Sequence, residues 1–211
     1  MTNQSSLGRV FIYDDNRPML AAFRDVFNSH ALQMFGTDNV YQLLQYAHEI
    51  TPDVMIFDIK DDYTPAASTI KHMASEINTL EYPIIVLKPQ EHPFNIYPGI
   101  AHYLHTPKDL HKLMDIVESY SIGRKTHDIL LLEKYTETAG NFLRQAESRN
   151  LSVFEVHNEN AARLYLAKNT PQTICIEYTL PFITARHNLN HPQIFYVDRE
   201  QDITEIQKFL H

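Results

Sequence analysis

Three aspartates are the residues of this chain best placed to do chemistry. Asp14 and Asp15 follow the apolar run Arg9–Tyr13, and Asp58 closes a second apolar run, Val54–Phe57. Acids just beyond short β-branched runs fall at the carboxyl ends of strands, where open parallel sheets collect ligands near the switch in strand order. In a sheet ordered 2-1-3-4-5 those two strands are neighbours, and the three carboxylates meet on one rim. Charges that close repel one another and require a cation. Mg²⁺, which prefers oxygen ligands and keeps several waters, is the natural one. A carboxylate beside Mg²⁺ is able to act as a nucleophile toward a phosphoryl group. The plainer alternative for Asp14-Asp15 is a turn and a helix cap, and Asp58 at the matching strand end weighs against it.

The elements that must position these acids alternate along the chain. Strands are expected at Arg9–Tyr13, Leu32–Phe35, Val54–Phe57, Pro83–Leu87 and His102–Leu104. Amphipathic helices are expected from Pro18 to about Ser29, over Val40–Glu49 with Asp38 or Asn39 as N-cap, over Ala66–Asn78 and over Lys108–Tyr120. Strand–helix alternation of this kind is the signature of a parallel sheet flanked by helices. Lys88–Gly99 holds three prolines, so a loop or a single turn should replace the fourth helix there.

The second half repeats the first. Phe23, Leu32, Phe35, Asn39 and Tyr46 recur as Phe142, Leu151, Phe154, Asn158 and Tyr165, all at an offset of 119 residues. At the same offset Thr51-Pro52 recurs as Thr170-Pro171, and DVMIFD aligns with QTICIE. Beyond the third strand the offset falls to 93, with Tyr103 matching Tyr196, so about 26 residues, one αβ unit, are missing from the second copy. The expected architecture is two flavodoxin-like parallel-sheet units in tandem, the first of five strands and the second of about four. The expected boundaries are residues 7–120 and 128–211, with residues 121–127 as the linker.

Composition excludes several functions. A net charge of −8 leaves no basic surplus for a nucleic-acid backbone. The polar N-terminus has no apolar signal core and no run is long enough to span a bilayer, so a cytoplasmic protein without a membrane contact is expected. The lone cysteine, Cys175, lies in an apolar run and reads as buried and inert. Twelve histidines are present, but no pair has zinc-ligand spacing, and His102, His105 and His111 scatter over a strand end and a helix. With five glycines in the chain there is no phosphate-binding glycine loop. The stripe Leu110, Leu113, Met114 and Val117 reads as core.

FIYDDN, PDVMIFDIK, PIIVLK and HYLHTP, in order and at nearly the same spacing, resemble the landmark segments of response-regulator receiver domains. The resemblance covers residues 8–120 fully and 128–211 more weakly. It implies Asp58 as phosphoacceptor, Asp15 as the main metal-ligating acid, Asp14 as its partner, and the backbone carbonyl of Lys60 as a further ligand to Mg²⁺. It places Tyr103 at the aromatic switch position and Thr106-Pro107 at a Lys-Pro pair that is usually cis. Two departures stand out. Thr106 replaces the lysine that binds the phosphoryl oxygens, and Lys88 replaces the Ser or Thr that closes onto the phosphate. Three readings of Lys88 follow: a displaced clamp on the acyl phosphate, a permanent partner of Asp58, or a side chain pointing into water.

In the second unit Asp14, Asp15 and Asp58 map to Glu133, Lys134 and Glu177. Lys134 then stands where the metal belongs, and Glu177 is either a partial electrostatic copy of a phosphorylated aspartate or the product of drift. No catalysis is expected there. The resemblance thus implies a two-component-type signalling or adaptor protein that is not an enzyme and acts by protein–protein contact. Its implied partner is a sensor histidine kinase or another signalling protein, and homodimer formation is compatible with it. Phosphorylation at Asp58 and phosphate-independent binding by two pseudo-receivers both stay open, as does a sensory portion cut from a longer regulator. The alternative from another class is a Mg²⁺-dependent phosphohydrolase. Its haloacid-dehalogenase-like form needs a second aspartate two residues after the first, where this chain has Asn16 after the adjacent pair Asp14-Asp15.

Overall fold

The computed structural model describes residues 8–60, 64–75, 81–89, 97, 99–122, 127–133, 137–177 and 194–197. The chain divides into two compact units, Met1–Arg124 and Lys125–His211.

In the first unit the central strands are apolar on both sides, as strands covered by helices on two faces must be. β1 (Gly8–Tyr13), β3 (Val54–Asp58) and β4 (Ile84–Pro89) bury Val10, Phe11, Ile12, Ile56, Phe57 and Ile85 completely. β2 (Leu32–Thr37) and β5 (His102–Thr106) take the edges, giving a fully parallel sheet in the order β2-β1-β3-β4-β5. The described helices are α1 (Arg17–Ser29), α2 (Val40–Glu49), α3 (Pro65–Ser75) and α4 (Leu110–Ser121). Asn16 caps α1, and Pro18 sits in its first turn, where a missing N–H costs little. Between Asp38 and Asn39, the cap of α2 is Asn39, whose carboxamide oxygen accepts from the N–H groups of Tyr41 and Gln42 at 3.0 and 3.3 Å. Asp38 accepts instead from the Arg17 guanidinium at 2.8 Å. The expected shortening or loss of a helix between β4 and β5 falls on residues 90–96 and 98, outside those described. So do the last residues expected for α3 and most of the linker.

Among the described residues the second unit forms a parallel sheet of four strands, β6 (Ile129–Leu132), β7 (Val153–Val156), β8 (Thr173–Glu177) and β9 (Ile194–Val197), in the order β7-β6-β8-β9. Its described helices are α5 (Glu137–Ser148) and α6 (Glu159–Leu166).

The repeat extends from sequence into backbone detail. Tyr13 pairs with Thr37 and Phe57, and Leu132 with Val156 and Ile176, the same register at the same offset. Ala31 and Asn150, which correspond, are both left-handed, at φ 57° and 56°. Asn158 caps α6 as Asn39 caps α2. Phe35 and Tyr46 pack ring against ring, and so do Phe154 and Tyr165. β9 hydrogen-bonds to β8 as β4 does to β3, so β9 takes the fourth place in its sheet.

None of the described helices is long and apolar enough to cross a membrane. Cys175 is fully buried and desolvation pushes its thiol pKa up.

Candidate functional site

Register builds the acidic rim. Tyr13 lies opposite Phe57, so the next residue on each strand, Asp14 and Asp58, emerges at the same edge of the sheet. The Asp14 N–H donates to Thr37 O at 3.2 Å, extending the β1–β2 ladder by one bond and turning the side chain inward. Asp14 is 3 % exposed. One carboxylate oxygen, Oδ1, accepts from the Asn16 N–H at 2.7 Å, while the buried Oδ2 has no hydrogen-bond partner. Asp15 faces outward and is held by the Lys60 ammonium at 2.8 Å.

The three aspartates act on one another electrostatically. Burial raises the Asp58 carboxyl pKa to about 7, with Asp14 and Asp15 pushing in the same direction and Lys60 against it. Burial likewise raises Asp14, against the Asn16 N–H and with Asp15 adding to the rise. The predicted convergence of Asp14, Asp15 and Asp58 is therefore present.

Lys60 enters by its side chain as well as by its place in the chain. Its ammonium acts on this rim as a cation, whereas the resemblance assigned it only a backbone carbonyl. Lys88 differs from one of its expected readings: it is 2 % exposed and does not point into water. Leu87 is the register partner of Asp58, so strand alternation puts Lys88 on the other face of the sheet, that of Val86 and Tyr103. Tyr103 is buried, and its hydroxyl accepts from the Tyr97 N–H at 2.6 Å and lies 3.2 Å from the Tyr97 carbonyl, to which it donates. Thr106 ends β5 at partial exposure, and the Thr106–Pro107 peptide is cis.

The donor set fits Mg²⁺. Its atoms are carboxylate oxygens, the ligand chemistry that ion prefers. The partnerless Asp14 Oδ2 is a buried acceptor of the kind a cation satisfies. Lys60 occupies one carboxylate oxygen of Asp15, Oδ1.

In the second unit Glu133 occupies the place of Asp14, even to its backbone bond: Glu133 N–H donates to Val156 O at 3.1 Å. Lys134 and the side chain of Glu177 lie outside the described residues; the backbone of Glu177 ends β8. The sequence reading missed what surrounds Glu133. Donor atoms of Glu133, Glu155 and His157 lie within 4.8 Å of one another. A search for paired histidines passes over this group. Its signal is the Glu-x-His spacing at the end of β7, which sends both side chains to one face, beside an acid ending the neighbouring strand. Of the histidines first considered, His102 instead bonds the Tyr120 hydroxyl at 3.0 Å and His111 the Lys108 carbonyl at 3.0 Å.

No protein-family model matches the chain, and comparison with curated proteins gives no match.

Proposed function

We propose that the chain is a two-component-type signalling or adaptor protein that works through protein–protein contact, with Asp58 as phosphoacceptor. The observation that carries this reading is the convergence of Asp14, Asp15 and Asp58 at the carboxyl edge of β1 and β3. In the reaction a carboxylate oxygen of Asp58 attacks phosphorus, forming an acyl–phosphate bond as the bond to the donor's leaving group breaks. Mg²⁺, bound by Asp14, Asp15 and Asp58, would offset charge on the phosphoryl oxygens. Asp58 must be ionised to attack, and Lys60 favours that ionised form. A sensor kinase is the natural donor, and the chain itself is not an enzyme on this reading.

A second regime, phosphate-independent binding by two pseudo-receivers, is favoured by the 2.8 Å contact between Lys60 and Asp15. That contact gives the rim an internal cation. Incubation with acetyl phosphate and Mg²⁺, followed at once by intact mass, separates the two. One added phosphoryl group on the unmodified chain, and none on Asp58→Ala, is the expected result. No addition, together with no beryllofluoride binding, would leave only the pseudo-receiver regime. Turnover of an aryl phosphate with Mg²⁺ would point instead to a phosphohydrolase.

A further inference from the structure

We propose that Glu133, Glu155 and His157 form a binding site for a divalent transition-metal ion, with zinc as the ion the donors suit best. The site lies within the second unit and does not depend on phosphorylation of Asp58.

Register makes the site. Leu131 pairs with Glu155 and Leu132 with Val156, so Glu133 continues the ladder opposite His157. Alternation then sends Glu133, Glu155 and His157 to the same face at the carboxyl ends of β6 and β7. The three donors come from two strands locked by the Glu133 N–H to Val156 O bond at 3.1 Å. His157 stands between the acids: Nδ1 is 3.2 Å from Glu133 Oε1, and Nε2 is 3.9 Å from Glu155 Oε1. Donors held at about 2.0–2.2 Å from one zinc ion lie roughly 3–4 Å apart. The observed spread of up to 4.8 Å is somewhat wider, and Glu155, the most exposed of the three at 31 %, is the freest to adjust.

The chemistry of the donors sets the class of ion. Imidazole nitrogen favours zinc and its first-row neighbours over Mg²⁺ and Ca²⁺. The Glu133 carbonyl lies 3.3 Å from His157 Nδ1, the nitrogen that stays protonated as the outer contact and leaves Nε2 to ligate.

The test uses the full chain stripped of metal with a chelator, titrated with Zn²⁺ by calorimetry and with Co²⁺ by visible absorption. The expected result is one Zn²⁺ per chain, with Co²⁺ bands, retained when Asp14→Asn and Asp58→Asn remove the oxygen site of the first unit. Glu155→Gln and His157→Ala should each weaken binding by about tenfold or more. Protection of Cys175 from a thiol reagent verifies that the second unit is folded in each variant, and Glu155→Gln carries the test alone if His157→Ala unfolds. Zn²⁺ binding that is unchanged in Glu155→Gln, or that disappears with Asp14 and Asp58, overturns the proposal. So does an absence of Zn²⁺ binding, which would leave the cluster as a histidine–carboxylate ion pair.

Discussion

Burial, with Asp14 and Asp15 alongside, raises the Asp58 carboxyl to about 7, against an unperturbed value of about 3.9 in an unfolded chain. The folded state thus favours the protonated form. The associated stability is fully present below about pH 4 and is lost as pH rises through about 7. In a chelator-treated solution, Asp58→Asn should match the wild type at pH 4 and exceed it at pH 8, by on the order of 2–4 kcal/mol, measured by urea unfolding. Carbon NMR of the Asp58 carboxyl supplies a finer check. Lys60→Ala should raise its midpoint and Asp15→Asn lower it, since the ammonium favours the charged form and the carboxylate opposes it. The meeting of the three acids was legible because strand ends and strand order suffice to place them. The Lys60 ammonium was not, because a lysine two residues beyond an acceptor gives no sign in sequence of which way its flexible stem will turn. Burial of Lys88 was hidden for a similar reason: a charged residue before proline reads as a loop, while here β4 continues through Pro89.

Elements were legible where their punctuation is chemical. Asn39 and Asn158 both precede amphipathic stretches, and both accept from backbone N–H groups of the first helical turn. Replacing either by Ala should lower stability by about 0.5–2 kcal/mol. Substitution by Asp or Ser should restore most of the loss, which a mere packing defect would not permit. Urea midpoints of the six variants decide it. Strand ends were less legible than helix starts. β2 runs to Thr37 where the apolar run suggested Phe35, and β5 runs to Thr106 where it suggested Leu104. Pairing with a neighbouring strand extends each beyond its apolar core, and pairing is a tertiary fact that hydrophobic periodicity does not contain.

At the scale of the whole molecule, one backbone plan serves two rims of different charge. Asp14 and Glu133 make the same ladder bond at corresponding positions. Asp14, however, faces other acids, while Glu133 faces His157 at 3.2 Å. Neutralising the two should therefore have opposite effects in the absence of metal. Asp14→Asn relieves repulsion among three carboxylates and retains an oxygen for the Asn16 N–H, so the first unit should become more stable at pH 8. Glu133→Gln removes the charge that faces His157 in a buried setting, and should destabilise the second unit by about 1–2 kcal/mol. The fully buried Cys175 is the chain's only cysteine, so its exchange with a thiol reagent in increasing urea reports opening of the second unit. Asp14→Asn should raise the midpoint of the backbone signal, and Glu133→Gln should lower the urea concentration at which Cys175 reacts. Two shifts of the same sign would mean that corresponding positions do the same work in both copies. Opposite signs would show that the repeat has kept its geometry while its two carboxyl edges have taken on different electrostatic tasks.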